Sequence, residues 1–94
     1  MVTAVVLINT THGFINEVAE QLVEMSGVSE VYSVGGRYDL VALIRVSTNE
    51  EMAELVTGNM LKLANIERTE TLIAFKAYSR HDLEAMFALG GDNE

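Results

Sequence analysis

Cysteine is absent from this 94-residue chain, which excludes disulfides and thiolate metal sites and makes a reducing, cytoplasmic location the default expectation. Basic residues are scarce, with 6 Lys and Arg against 14 Asp and Glu, for a formal charge of −8 at pH 7. Recognition of a nucleic-acid backbone needs clustered cations that displace counterions. Here the cations are scattered from Arg37 to Arg80 and no predicted helix carries a basic face. Direct DNA or RNA binding is not expected, and the acidity serves to keep an apolar assembly soluble. No apolar run reaches the length of a membrane span, and the N-terminus lacks the basic flank and small-residue cleavage site of a signal peptide. Histidine is limited to His12 and His81, neither with a second ligand at metal spacing, so no metal or other cofactor is expected. Gly35-Gly36 closes a hairpin instead of opening a helix, which excludes the usual phosphate-cradling loops.

Apolar residues are abundant, at 49% of the chain. Val2–Ile8 (VTAVVLI), Leu40–Ile44 (LVALI) and Leu72–Phe75 (LIAF) are near-continuous apolar runs. Strand side chains alternate between faces, so Val2, Ala4, Val6 and Ile8 share one side while Val5 and Leu7 occupy the other. A chain of this length forms one domain with a thin core. Its two predicted helices can cover one face of a sheet. The other face, left apolar, marks an interaction surface and an obligate oligomer.

The predicted order is strand, helix, strand, strand, helix, strand and a tail. Strand one runs from about Val2 to Asn9. Helix one spans Phe14 to Met25, with Phe14, Val18, Leu22 and Met25 as its apolar stripe and Glu17, Glu20, Gln21 and Glu24 wet; Gly27 is its stop. Strands two (Val28–Val34) and three (Leu40–Val46) form a hairpin across Gly35–Asp39. Helix two opens with a capping box in Thr48-Asn49-Glu50-Glu51 and buries Met52, Leu55, Val56, Met60 and Leu63, with Asn65 as a left-handed stop. Gly58 inside it costs about 1 kcal/mol relative to alanine, and nothing in the sequence accounts for it. The last strand extends from Ile66 to about Tyr78, long enough to require a bulge or bend. Residues 1–79 form the domain, and 80–94 are a short helix carrying Leu83, Met86 and Phe87, then a frayed tail. A faint internal repeat pairs Glu17-Val18-Ala19-Glu20 with Glu51-Met52-Ala53-Glu54. Two strand-helix-strand halves joined by a hairpin make an α+β, ferredoxin-like βαββαβ fold, with four antiparallel strands and both helices on one face.

Two constellations stand out from the acidic helix faces and the core methionines. In Gly36-Arg37-Tyr38-Asp39, an acid beside a glycine turn and an aromatic can hold an ammonium group, with turn amides for a carboxylate; alternatively, Asp39 only closes the turn. Arg68-Thr69-Glu70-Thr71 enters the last strand, where threonines are also ordinary strand residues.

The same stretches carry a family resemblance. "VYSVGGRYDLVALIRV" resembles the glycine-x-tyrosine-aspartate hairpin of the effector-binding (RAM) domain of Lrp/AsnC transcriptional regulators, and "NIERTETLIAF" resembles that family's final strand. The resemblance covers about Val2 to Tyr78. It implies a homodimer with sheets packed face to face as a dimeric α+β barrel, assembling further to a tetramer of dimers (an octamer). It also implies small effectors, usually amino acids, bound between neighbouring dimers near the hairpin turn. Carried across by position, the ligand-binding residues are Gly36, Arg37, Tyr38 and Asp39 with Thr69 and Thr71. Asp39 would take the ammonium, and hairpin amides or a threonine hydroxyl the carboxylate. Arg37 departs from the acidic or small residue that the family often has there. A full regulator carries a helix-turn-helix domain before this one, and strand one starting at residue 2 leaves no room for it. The expectation is a non-enzymatic sensing domain acting indirectly, by co-assembly with a full-length Lrp/AsnC-type regulator. Two alternatives stand beside it: a structural partner without ligand, and a cofactor-independent dimeric barrel enzyme resembling the monooxygenases of that architecture, for which Tyr32, Ser33 and Tyr78 are the candidates.

Overall fold

The structure, a computed structural model, describes residues 1–78 and residue 80. The end helix and tail expected over 80–94 otherwise lie outside the described residues. Strand β1 (Val2–Thr10), helix α1 (Ile15–Val23), strands β2 (Val28–Ser33) and β3 (Leu40–Val46), helix α2 (Asn49–Ala53) and strand β4 (Ile66–Ile73) follow in sequence. The sheet has the order β2-β3-β1-β4 with every pair antiparallel. This is the expected ferredoxin-like α+β arrangement.

β1 lies inside the sheet, and its two faces have different fates. Ala4, Val6 and Ile8 are fully buried, as are Leu40, Ala42 and Ile44 opposite them on β3. Val18 and Leu22 of α1 and Met52 of α2 pack on this face, together with Leu55 and Met60 from the turns after α2. Each large aliphatic side chain buried here contributes about 1.5–3 kcal/mol. Val5 and Leu7 project to the other side beside Val41, Leu43 and Leu72. Among the described residues, no helix covers them. Leu72 and Tyr32 on this face stay 47% and 48% exposed, so the apolar runs are two-sided, as the alternation of strand side chains predicts.

The helices end sooner than their apolar stripes. Phe14 and Met25 flank α1 yet still pack on the core. At α2 the Thr48 hydroxyl accepts from the Glu51 amide at 3.1 Å, while the Glu51 carboxylate reaches back to the Ser47 amide at 2.8 Å. After Ala53 the chain widens into a π-helical stretch (Glu54–Asn59) and then tightens into a 3-10 turn (Met60–Lys62). Leu55 and Met60, five apart, would point well away from each other on an α-helix. A π turn of i→i+5 bonds, seen here from the Met60 amide to the Leu55 carbonyl, turns both into the core. The Thr57 hydroxyl bonds the Ala53 carbonyl, an acceptor its own amide would use in an unbroken α-ladder.

β4 stops at Ile73 and does not continue to Tyr78. Its last pair is Ile73 with Ala4, and one further bond joins the Ala74 amide to the Thr3 carbonyl. Phe75 and Tyr78 beyond it are exposed. The expected bulge is present at the other end, where Asn9 pairs with Arg68 but Thr10 with Ile66, leaving Glu67 as the extra residue. Asn65 adopts a left-handed φ of 72° before β4, as its position suggested.

Two glycines of this region separate cleanly. Gly27 has φ +99°, and a Cβ there would lie 2.9 Å from both Leu55 Cδ2 and Val46 Cγ1. At Gly58 the nearest contact would be Glu54 Cγ at an ordinary 3.7 Å. Gly27→Ala should therefore lower stability by about 2–3 kcal/mol through strain and overpacking. Gly58→Ala should raise it by about 0.5–1 kcal/mol. Urea unfolding midpoints of the two variants check both signs.

Candidate ligand-binding site

The chemistry gathers where β1 outruns β3. β3 begins at Leu40, opposite Ile8, so the Thr10 amide has no strand carbonyl to meet. The Asp39 carboxylate takes that place: its Oδ2 accepts from the Thr10 amide at 2.9 Å and stands 3.4 Å from the Thr10 hydroxyl. Both bonds go to one oxygen, which leaves Oδ1 for another donor. The hairpin loop is held at two more points. The Asp39 amide donates to the Ile8 carbonyl at 2.9 Å, and the Asn9 side-chain amide donates to the Arg37 carbonyl at 2.8 Å. Gly36 supplies the loop with a φ of +125°, open to few other residues.

On the other side of β1, the β4 bulge brings Glu67 and Arg68 level with the loop. Between them lies an open cleft of about 570 Å³ lined by Asn9, Thr10, Arg37, Asp39, Glu67 and Arg68. Tyr38 leans over the uncovered face of the sheet. Its hydroxyl donates to Glu70 Oε1 at 2.6 Å, and the Arg68 guanidinium sits 5.8 Å from its ring centroid. The bond to Glu70 holds the Tyr38 phenol above its ordinary pKa near 10, burial and the charge of Glu70 add to this, and Arg68 and Arg37 oppose it.

Of the residues expected from the sequence, Arg37 and Asp39 line the cleft, Gly36 shapes its loop, and Tyr38 packs beside Arg68. Thr69 and Thr71 are set apart. They pair with Ile8 and Val6 and so share the helix-covered face, whereas Arg68 and Glu70 share the uncovered face with Asn9 and Leu7. A second cavity of about 410 Å³, bounded by Gly27, Ser47 and the π-helical stretch among others, holds none of the expected residues. Among the described residues, no group of three or more His, Cys, Asp or Glu could hold a metal ion.

The sequence profile of the Lrp/AsnC ligand binding domain matches residues 3–83. The chain belongs to the Lrp/AsnC family. It is similar to the HTH-type transcriptional regulator FL11 of Pyrococcus furiosus, at 33% identity over 77 residues, which are 82% of this chain and 50% of that one. The chain spans about half the length, or less, of the curated relatives it matches. Among solved structures it is similar to TTHA0845 from Thermus thermophilus, with 49% identity and a TM-score of 0.80 over 85% of this chain and 100% of that one. The regulator NMB0573 from Neisseria meningitidis, solved as an L-Met complex, shares the fold alone, at 11% identity and a TM-score of 0.75 over 84% of this chain and 53% of that one.

In this Lrp/AsnC domain the cleft residues that motif reading missed are Asn9, Thr10 and Glu67. Asn9 and Thr10 did leave a signal, since they are the first polar pair after an apolar run and fall where the neighbouring strand has yet to start. Glu67 carried none, because a bulge is a property of pairing.

The Tyr38 phenol should titrate above its ordinary value in ultraviolet absorbance, and Glu70→Gln should bring it down toward that value. A folded-state value above the unfolded one means that the bond stabilises the fold fully below about pH 10 and ceases to do so as pH rises through the folded value. Tyr38→Phe identifies the transition, since the Tyr32 phenol is also raised, by its own bond to Glu30.

Proposed function

We propose that this domain senses a small molecule, an amino acid in the first instance, and influences transcription through protein assembly and not by catalysis or direct DNA contact. The observation that carries this is the cleft at the end of β1. It offers a carboxylate oxygen for an ammonium and guanidiniums for a carboxylate, within a domain whose family profile is described as ligand binding. The L-Met complex of the Neisseria regulator supports an amino acid as the kind of ligand. The charge of −8 makes direct backbone contact unfavourable, and similarity to HTH-type regulators makes a full-length relative the natural partner for co-assembly. We take the cytoplasm as its compartment; among the described residues no helix is long and apolar enough to cross a membrane.

In this reading a second copy covers the face that carries Val5, Leu7, Val41, Leu43 and Leu72, giving a dimeric barrel that assembles further, to a tetramer of dimers. The cleft and that face have a residue in common. Arg68 lines the cleft and also covers Tyr38, whose hydroxyl is anchored on Glu70 of the uncovered face. A ligand that draws Arg68 toward itself alters the rim of the interface. Such a ligand shifts assembly only if it binds one assembly state more tightly than another. The enzyme alternative finds no converging set: Tyr32 lies on the uncovered face, Ser33 pairs with Leu40 on the helix-covered face, and Tyr78 is exposed beyond β4.

A thermal-shift screen of the twenty amino acids, run with light scattering, tests the sensor. A binder at a hundredfold excess over its dissociation constant stabilises the fold by about 2.7 kcal/mol. The informative variant is Asp39→Asn, because Asp39→Ala would also orphan the buried Thr10 amide at a cost of about 1–3 kcal/mol. Asparagine keeps an acceptor for Thr10 and removes the charge that an ammonium requires. A shift in the wild type that disappears in Asp39→Asn, with assembly intact, is the expected result; no shift with any amino acid would sink the sensor. For the assembly, Leu43→Glu should reduce the scattering mass, and a mass unchanged by that substitution would rule out pairing through this face.

A further inference from the structure

We infer that Tyr38 and Glu70 are positioning residues of the cleft: the bond between them ties its two walls together and seats the guanidinium of Arg68. This rests on the reading of the cleft as an amino-acid site. The walls come from strands that are not neighbours in the sheet. Arg37 and Asp39 belong to the hairpin loop that leads into β3, Glu67 and Arg68 belong to β4, and β1 lies between with Asn9 and Thr10. Neighbouring strands lie about 4.8 Å apart, which puts β3 and β4 roughly 10 Å from each other. Backbone pairing fixes each of them to β1. It does not fix one to the other.

Tyr38 spans that gap. It stands between Arg37 and Asp39 in the loop, and its hydroxyl donates to Glu70 Oε1 at 2.6 Å. Hydrogen bonds to an ionised acceptor are among the short and strong ones. Glu70 pairs with Leu7, two residues beyond Arg68 and on the same side of β4. The ring thus fixed lies beside Arg68, with the guanidinium 5.8 Å from its centroid, inside the range at which a cation is drawn to an aromatic face. Glu70 holds the ring, and the ring holds Arg68. Neither Tyr38 nor Glu70 lines the cleft itself.

The seat matters because arginine is a long side chain with much rotamer freedom, and two carboxylates, Asp39 and Glu67, line the same cleft. An unseated guanidinium would be shared among these positions and would have to be ordered when a ligand carboxylate arrives. Ordering one such side chain costs up to about tenfold in a dissociation constant. A guanidinium already held on a fixed ring avoids that cost. The tie acts on the loop as well, since a bond from Tyr38 to β4 restrains the residues on either side of it, Arg37 and Asp39.

The test is isothermal titration calorimetry of the whole chain with each of the twenty amino acids, with light scattering on every variant. Tyr38→Phe keeps the ring and removes the tie, Glu70→Ala removes the acceptor, and Glu70→Gln keeps an acceptor without the charge. For the amino acid that binds the wild type most tightly, Tyr38→Phe and Glu70→Ala should each raise the dissociation constant about tenfold, and Glu70→Gln by no more than about threefold. The Arg68 Nε–H resonance, displaced by the ring beside it, should move in the first two variants and stay near its wild-type position in Glu70→Gln, a split that a merely structural role does not produce. Dissociation constants within about twofold of the wild type in both Tyr38→Phe and Glu70→Ala would overturn the inference and leave the sensor standing. Binding by Glu70→Gln as weak as by Glu70→Ala would overturn it as well, because the charge and not the bond would then be what acts. A loss of binding that comes with a fall in scattering mass in those two variants would assign the pair to the interface between copies, again against the inference. Binding of none of the twenty would remove the sensor and this inference together.

Discussion

The constraint on which this fold depends is that its central strand has no polar face. β1 pairs with β3 on one side and β4 on the other, and its residues are apolar toward both layers from Ala4 to Ile8. One layer is satisfied within the chain, where α1 and the second helical segment bury Ala4, Val6 and Ile8 completely. The other is not. Its apolar residues sit in the middle of the sheet with Tyr32 and Glu30 at one edge and Arg68 and Glu70 at the other. An apolar centre inside a polar rim is the anatomy of a protein interface, so the same strand that organises the core also organises the surface offered to a partner.

The cleft follows from where that strand ends. β1 is longer than its hairpin neighbour allows, so the last amide, on Thr10, is beyond the reach of β3, and the chain supplies Asp39 in place of a strand carbonyl. One carboxylate oxygen thus closes the sheet, while the other takes no part in those two bonds. The two readings open for Asp39 from its motif, ligand group or turn closer, are therefore not rivals. Its structural bonds run to β1 and not to its own turn, and they orient the group that a ligand would meet.

The second helical segment shows how packing overrides local preference. A regular α-helix would carry Leu55 and Met60 to different sides. Widening the turn puts both into the core, a feature that no 3.6-residue periodicity contains. Gly58 lies within this widened stretch, yet the space beside it would admit a methyl group, so its cost to the helix is not repaid by close packing. Gly27 is the converse case. It read as a helix stop, but it stands beyond the end of α1, and close packing against Leu55 and Val46 demands its missing side chain as much as its φ does.

Much of the molecule was legible in the residues themselves. The apolar runs of β1 and β3, the Thr48 cap, the Asn65 stop and the glycine-bearing hairpin are local signals, each set by side-chain alternation, backbone hydrogen bonding or a sterically rare φ. They suffice for the ferredoxin-like order and for two apolar faces. What the sequence could not hold is anything decided by pairing between distant strands. The end of β4 at Ile73 is a matter of its pairing with Ala4, and the bulge at Glu67 depends on register with Asn9 and Thr10. That register assigns Thr69 and Thr71 to one face and Arg68 and Glu70 to the other. Adjacent residues of a strand point to opposite sides of a sheet, so a motif read as one cluster along the chain became two in space, and only the tertiary structure decided which of them joined Asp39.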